Sequence, residues 1–398
     1  MRRIDLKTAH TAHFSTMREI NRQIVLNYVR EKAPISRAEI ARETALQPST
    51  ISTIVDALVS DGLIEEIGTG ESTGGRRPTL LTLRSEGAVA IGIDIAPTRT
   101  TIATSDLAGN ILDRVEFETS HDYEKTIGKI IECACDFLRG SERVIEGIGV
   151  SLPGLVDPKT GEILYIPYFK WRNKDIAGRI AAATGLSVTI DNDANAAALA
   201  ELWFGSSEVS SARDFIMVFM AEGVGTGIIF DGQIYRGAAG AAGEFGHMII
   251  GQKAPVACSC GSYDCWEAFA SGRAAVKRYS RLKNGSAAGS RMTFAQLVER
   301  ASMGEEEAKA AISETARYLS IGISNLIVGF SPELVVVGGS ITVAWPLVAD
   351  VLRETVERGV RRGLPSARII ASTLGDQATM MGALSLVLAA KFSSAMTA

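Results

Sequence analysis

Residues 223–267 read GVGTGIIFDGQIYRGAAGAAGEFGHMIIGQKAPVACSCGSYDCWE. The first part is a glycine-punctuated apolar run. The second holds His247, Cys258, Cys260 and Cys265, flanked by Glu244 and Glu267. The spacing His-x10-Cys-x-Cys-x4-Cys supplies one imidazole and three thiols, a tetrahedral complement for a zinc ion. Four protein ligands close the shell, so such a site is structural; a catalytic zinc keeps one position open. A C2H2 finger that reads DNA needs a second histidine and a helix between its ligand pairs, and neither is present. The alternative is a set of ordinary buried cysteines. The chain has five cysteines. That odd count, with three close together, speaks against a disulfide framework and for metal binding in a reducing cytosol.

Outward from this stretch, strands and helices alternate. VAIGIDI from Val89 is a buried-type strand, and TTIATSDLAGNILDRVEFE is a hairpin turning at Asp106–Asn110. A helix near Tyr123–Leu138, the strand IEGIGVSLPG, and SVTI running through DNDAN into AAALAELWFG follow. A second lobe begins near Asp214, and ISNLIVGFSPELVVVGGS adds helix, strand and glycine turn. The alternation predicts an α/β body. Its cleft is expected at the strand ends, where SLPG, DND, GVGTG and VVVGG fall.

The amino-terminal segment differs. Residues 1–42 carry nine Lys/Arg against four acids, a net of +5, while the whole chain of 398 residues is at −4. A basic head on an acidic body suggests a head that meets nucleic acid; a merely solvated surface is the alternative. Met17, Ile20, Ile24 and Tyr28 share one face of a first helix, which Pro34 ends. Ser36 and Glu39 form a capping box for a second helix. Pro48 opens a third, whose Ile51, Ile54, Val55, Leu58 and Val59 face a core. Gln47, Ser49, Thr50 and Thr53 remain outside, and Gly62 can cap the end. LIEEI and RRPTLLTL complete a β-ribbon. The sum is a winged helix-turn-helix, in which Arg37, Gln47, Ser49, Thr50 and Thr53 are expected to meet operator DNA, and Arg76 and Arg77 the minor groove at the wing. A helical protein-interaction module is the competing reading. No run approaches the roughly 20 apolar residues of a membrane span, and no secretory signal opens the chain.

The ordered set DNDANAA, GVGTGIIFDGQIYRGAAGAAGEFGH, CSCGSYDCWE and VVVGGS resembles the ROK family (repressors, open reading frames, kinases). With the winged head attached, the chain resembles that family's transcriptional regulators. The resemblance implies a two-lobed, actin-like and ribonuclease-H-like sugar-kinase body binding a sugar between its lobes. It implies that Glu244, His247 and Glu267 hold one side of a pyranose, Asn192 and Asp193 the other, with Gly154 bordering the pocket. The expected division is a head at 1–85, a first lobe at 86–205, and a second lobe at 206–398 carrying the zinc site, its final helix returning to the first lobe. Trp171 and Phe169 are expected beside the sugar.

In family kinases the aspartate matching Asp193 is the general base, which keeps catalysis open. The first phosphate loop argues otherwise. Where kinases carry glycines and a lysine after the aspartate, this chain reads Asp94-Ile95-Ala96-Pro97-Thr98-Arg99. Ala96 adds a Cβ where the backbone should approach phosphate, and Pro97 has no N–H to donate. Gly225, Thr226, Gly338 and Gly339 preserve the remaining nucleotide elements, though they can serve turns alone. The expectation is a cytoplasmic, sugar-responsive repressor. It binds operator DNA as a dimer or tetramer, is released by a free monosaccharide, and carries one structural zinc ion (Zn2+) per chain. An ATP-dependent sugar kinase with a fused DNA-binding head is the alternative. A sugar phosphate is disfavoured, because it would bring a dianion beside Asp193. A family glycine is replaced by Asp264, and Gln47 is a weak cap for the third helix.

Overall fold

Ile51, Ile54, Val55 and Leu58 recur at helical spacing, and all four are buried. That stripe organises the head. The computed structural model describes residues 14–70, 77–84, 87–238, 240–283, 292–360 and 367–392. Helix α1 (Phe14–Lys32) precedes a short strand β1 (Ile35–Ser36), then α2 (Arg37–Thr44) and α3 (Pro48–Ser60). Strands β2 (Ile64–Thr69) and β3 (Thr79–Leu83) complete a sheet in the order β1-β3-β2. The capping box is present: Glu39 N donates to Ser36 Oγ, and Ser36 N donates to Glu39 at 2.8 Å. Gly62 takes φ +70 after α3.

Two expectations for the head need correction. The buried face of α1 is Val25, Leu26 and Val29, whereas Met17 and Ile24 are 53% and 36% exposed. Both stripes have helical spacing. The later one wins because it meets Ile35, Ile40, Ile51 and Leu81 in a common core. Val59 is exposed as well, at the edge of the stripe, while its neighbour Leu58 is fully buried in that core.

The first lobe holds β4 (Val89–Ile95), β5 (Arg99–Asp106), β6 (Ile111–Glu118), α4 (Tyr123–Gly140) and β7 (Ile145–Leu152). A small antiparallel sheet of β8 (Leu155–Asp157), β9 (Glu162–Ile166) and β10 (Trp171–Asp175) follows, then α5 (Ile176–Thr184) and β11 (Val188–Asn192). The main sheet runs β11-β7-β4-β5-β6. Helix α6 (Asp193–Phe204) and the short α7 (Ser207–Ser210) lead to the second lobe. There β12 (Phe215–Met220), β13 (Val224–Phe230) and β14 (Gln233–Ile234) precede helices α8 (Trp266–Ala270), α9 (Gly272–Leu282), α10 (Phe294–Ser302) and α11 (Glu306–Phe330). Strand β15 (Leu334–Gly339), α12 (Trp345–Gly359), β16 (Arg368–Ala371) and α13 (Ala378–Phe392) close the chain. This second sheet runs β14-β13-β12-β15-β16.

Counted within its own lobe, each sheet has the strand order 3-2-1-4-5, with the second strand antiparallel to the first and the fourth parallel to it. The same wiring occurs twice, which is the actin-like, ribonuclease-H-like arrangement. Helix α13 packs back on the first lobe, with Met380, Leu384 and Val387 against Ala90 and Ala103. The second lobe is anchored by Trp266, fully buried, whose Nε1 donates to the Tyr318 carbonyl at 2.9 Å. Gly322 on α11 leaves room for the indole; any Cβ there would collide with it. Burying an indole of roughly 200 Å² at about 25 cal/mol per Å² contributes about 5 kcal/mol. Trp266 lies between Cys265 and Glu267, so that burial fixes both.

Candidate functional site

The cleft residues come from strand ends. β7 gives way to Gly154, whose φ is +88. A side chain there would press within 2.6 Å of the Tyr165 carbonyl. β11 ends at Asn192, which caps α6: its Oδ1 accepts from Ala194 N at 2.9 Å, and its Nδ2 donates to the Gly154 carbonyl at 3.0 Å. Asn192 therefore joins the Gly154 loop to the helix. Asp193 opens α6 and accepts from the same Ala194 amide at 2.9 Å. A helix amino terminus favours an anion. Burial nevertheless pushes the Asp193 carboxyl up to about 7, with Asp94 and Glu244 adding like charge. Burial also raises Asp94 to about 6, although its carboxylate accepts from the Thr379 hydroxyl at 2.9 Å. Carboxyls from β4, α6 and the Glu244 loop thus share one cleft.

Glu244 begins a 3-10 turn, Glu244–His247. The His247 imidazole faces two ways: Nε2 is 3.6 Å from Glu244 Oε2, and Nδ1 is 3.2 Å from Cys258 Sγ. The Cys260 and Cys265 sulfurs lie 3.5 Å apart, and the four donor atoms of His247, Cys258, Cys260 and Cys265 all fall within 4.8 Å of one another. Zinc–sulfur bonds of about 2.3 Å in tetrahedral geometry give a sulfur–sulfur edge of roughly 3.8 Å. The cluster fits a metal ion of that kind. Burial, reinforced by neighbouring cysteines, pushes the Cys265 thiol up to about 12. Glu267 is buried, and its Oε1 accepts from Ser259 N and from Arg273, each at 3.1 Å. It ties the cysteine loop to α9 through one oxygen and leaves Oε2 beside Gly223. Asp264 accepts an amide from Ile250 through its carbonyl, so the turn closes with aspartate in the glycine's place.

In the head, Gln47 caps α3 without a side-chain hydrogen bond. Gln47, Ser49 and Thr53 are exposed and Thr50 is half-buried. Arg37 bridges Asp56 and Glu66, both at 2.8 Å, joining α2 to α3 and the wing strand. Arg77 is exposed, and Arg76 lies outside the described residues.

Comparison with known proteins decides the family. The ROK family pattern matches residues 90–390, and a winged helix-turn-helix DNA-binding pattern matches 17–65. The chain belongs to the ROK family. A xylose repressor of Caldicellulosiruptor bescii is 32% identical over 390 residues, covering 94% of this chain and 96% of the relative. The crystal structure of a ROK family transcriptional regulator, a homologue of the Escherichia coli Mlc protein, superposes with a TM-score of 0.82 at 26% identity, over 95% of this chain and 97% of that one. A ROK family glucokinase from Streptomyces griseus, solved with glucose and AMPPNP, matches with a TM-score of 0.68 at 30% identity, over 75% of this chain and 98% of the kinase. The winged head together with the similarity to repressors places the chain in the ROK repressor branch.

The residues matching the ROK phosphate elements make local contacts of their own. Ala96 N donates to the Arg99 carbonyl at 2.9 Å, so this loop amide closes a turn. The Thr226 hydroxyl donates to the Gly243 carbonyl at 2.6 Å. A Cβ on Gly225 would sit 2.8 Å from the Ala194 Cβ, and one on Gly338 or Gly339 would collide with Met217 or the Met220 carbonyl. Phe169 and Trp171 do not line the cleft as expected. Both are 4% exposed and stack at 4.5 Å inside the first-lobe core, because the β8–β10 sheet needs an aromatic floor.

Sequence reading missed Asp191 and Arg236. Asp191 is nearly fully buried on β11, and Arg236 follows β14 in the other lobe; they pair at 2.7 Å. Asp191 Oδ1 also accepts from Asn192 N at 2.8 Å and Asn195 Nδ2 at 2.9 Å. The signal was available in DNDAN as a second acid beside the cleft.

Proposed function

We propose that this protein is a sugar-responsive transcriptional repressor whose cleft takes a free monosaccharide and whose winged head releases operator DNA when the cleft fills. The carrying observation is that the buried Asp193, beside the α6 cap Asn192, feels the charge of Glu244 from the other lobe, while His247 sits 3.6 Å from Glu244 and is held from behind by Cys258. Carboxylates and an amide accept and donate to vicinal hydroxyls together, which suits a pyranose. The carboxyls of Asp94, Asp193 and Glu244 disfavour a sugar phosphate. The similarity to a xylose repressor makes D-xylose the first effector to try.

In this reading His247, Cys258, Cys260 and Cys265 hold one structural zinc ion per chain. Held in that cluster, His247 would be fixed with Nδ1 toward Cys258 and with Nε2 and Glu244 toward the sugar. Glu267 contributes Oε2, and Gly154 borders the pocket. The head is 1–85, the first lobe 86–205 and the second 206–398. Homodimers present two heads to a pseudo-palindromic site, with Gln47, Ser49, Thr50, Thr53, Arg37, Arg76 and Arg77 toward DNA. All of this suits a cytoplasmic protein; among the described residues no helix is long and apolar enough to cross a membrane.

Phosphotransfer is the second reading, favoured by Asp193 and by the glucokinase similarity. The Ala96-Pro97 pair opposes it, since phosphoryl transfer rests on positioning. Fluorescence anisotropy on DNA from upstream of the protein's own gene tests the proposal, with D-xylose, D-glucose and N-acetyl-D-glucosamine added in turn. The expected result is tight binding that one sugar weakens about tenfold or more. Tight binding indifferent to every sugar counts against it, and ATP turnover with any of them establishes the kinase.

A further inference from the structure

The sugar cluster and the head meet opposite ends of a single helix. Asn192 and Asp193 stand at the amino terminus of α6. At its far end, Trp203 carries the Arg30 guanidinium of α1 at 3.9 Å from its ring centroid, and Trp203 and Phe204 pack on the head core. Twelve residues at about 1.5 Å each make a rod of roughly 18 Å.

The rod is held firmly on its sides. Ala194, Ala196, Ala197, Ala198 and Ala200 are fully buried. The second lobe touches its amino-terminal half with no slack, since a Cβ on Gly225 would come within 2.8 Å of Ala194, and one on Gly227 would strike the Ala194 carbonyl and Ala198. Asn195 donates to Asp191 at 2.9 Å, and the Ser372 hydroxyl donates to the buried Glu201 carboxyl. A motion of the second lobe toward the sugar therefore acts on α6 directly. At the other end, a cleft of about 1300 Å³ between head and body, lined in part by Arg30, Leu83, Trp203 and Arg236, leaves α1 space to tilt.

We propose that α6 transmits occupancy of the sugar cleft to the head, and that Trp203 is the positioning residue at the joint, acting through Arg30. This rests on the sugar-sensor reading. Sugar and DNA then couple through one rigid element with two positions, which is what a coupling free energy requires. Cation–π contact at a partly desolvated ring is strong enough to set the seat of α1.

The experiment compares the unaltered full-length protein with Trp203→Ala, Trp203→Phe and Arg30→Gln. For each, D-xylose, D-glucose and N-acetyl-D-glucosamine affinities are measured by calorimetry, operator affinity by anisotropy, and the sugar-induced shift in operator affinity by combining them. Trp203→Ala and Arg30→Gln should keep both separate affinities within about threefold, while the shift falls from about tenfold to under about twofold. Trp203→Phe, which keeps a ring under Arg30, should retain most of the shift. Should Trp203→Ala fail to fold, the change Arg30→Gln, at a partly buried side chain, carries the test. A full shift in Arg30→Gln overturns the proposal, as does loss of sugar affinity itself in Trp203→Ala, which would make Trp203 a support of the pocket. If the unaltered protein ignores all three sugars, the sensor reading falls and this inference falls with it. If it responds and the variants respond equally, only this inference falls.

Discussion

Arg236→Ala tests how the two lobes are joined. Asp191 is 3% exposed and Arg236 35%, with the guanidinium held at 2.7 and 2.8 Å from Asp191 Oδ2. Removing one partner of a deeply buried pair costs about 3–5 kcal/mol, because a desolvated charge is left alone. Here Asp191 Oδ1 keeps its bonds from Asn192 and Asn195, and water can follow the missing arginine side chain from its exposed end. The expected loss is therefore smaller, about 2 kcal/mol. At about 1.5–2 °C per kcal/mol for a body of roughly 300 residues, the melting temperature falls by roughly 3–4 °C. Adding Asp191→Asn removes the orphaned charge, so the double variant should regain at least half of the loss. Thermal and urea unfolding of the unaltered protein, both single variants and the double variant close a double-mutant cycle. Arg236→Ala within about 0.5 kcal/mol of the unaltered protein, or a strictly additive cycle, would refute the claim that this pair fastens the lobes.

Other outcomes follow from the same geometry. Cys260→Ala should lose bound zinc and sugar response together, read by metal analysis and calorimetry; normal sugar affinity without zinc would contradict the bracing role of the cluster. Asp193→Asn should abolish the sugar response and leave operator affinity intact. Because the Asp193 carboxyl is raised from 3.8 to about 7, folding holds its proton, so its contribution to stability is present at low pH and lost as pH rises toward about 7. Asp193→Asn should consequently melt above the unaltered protein near pH 8 and close to it near pH 4; a constant offset across that range would count against the shared-charge cleft. Arg77→Ala should weaken operator binding and flatten its salt dependence by about one charge; an unchanged slope would take Arg77 off the DNA.

Local chemistry was legible in the chain. The Ser36–Glu39 capping box and the Cys3His spacing need only a few neighbouring residues to specify themselves, and both are formed. Strand-end motifs announced the cleft for the same reason. What was not legible depends on distant partners. Asp191 finds Arg236 45 positions away, and Glu201, an acid inside an alanine-rich helix, finds Ser372 171 positions away. The α1 face was misread because two stripes share one period and only tertiary contact chooses between them. Residues 155–175 carry no motif that specifies their structure, yet they form a small sheet with Phe169 and Trp171 turned inward. The same burial removed both rings from the list of sugar contacts.

In the sensor reading, one cleft and one head share a free energy. The most direct measurement is the affinity of the active monosaccharide for the protein free and bound to operator DNA. Linkage requires the sugar to bind the operator complex more weakly by the same factor that it weakens DNA binding, about tenfold. Equal sugar affinity in the two states would mean that the cleft does not govern the head.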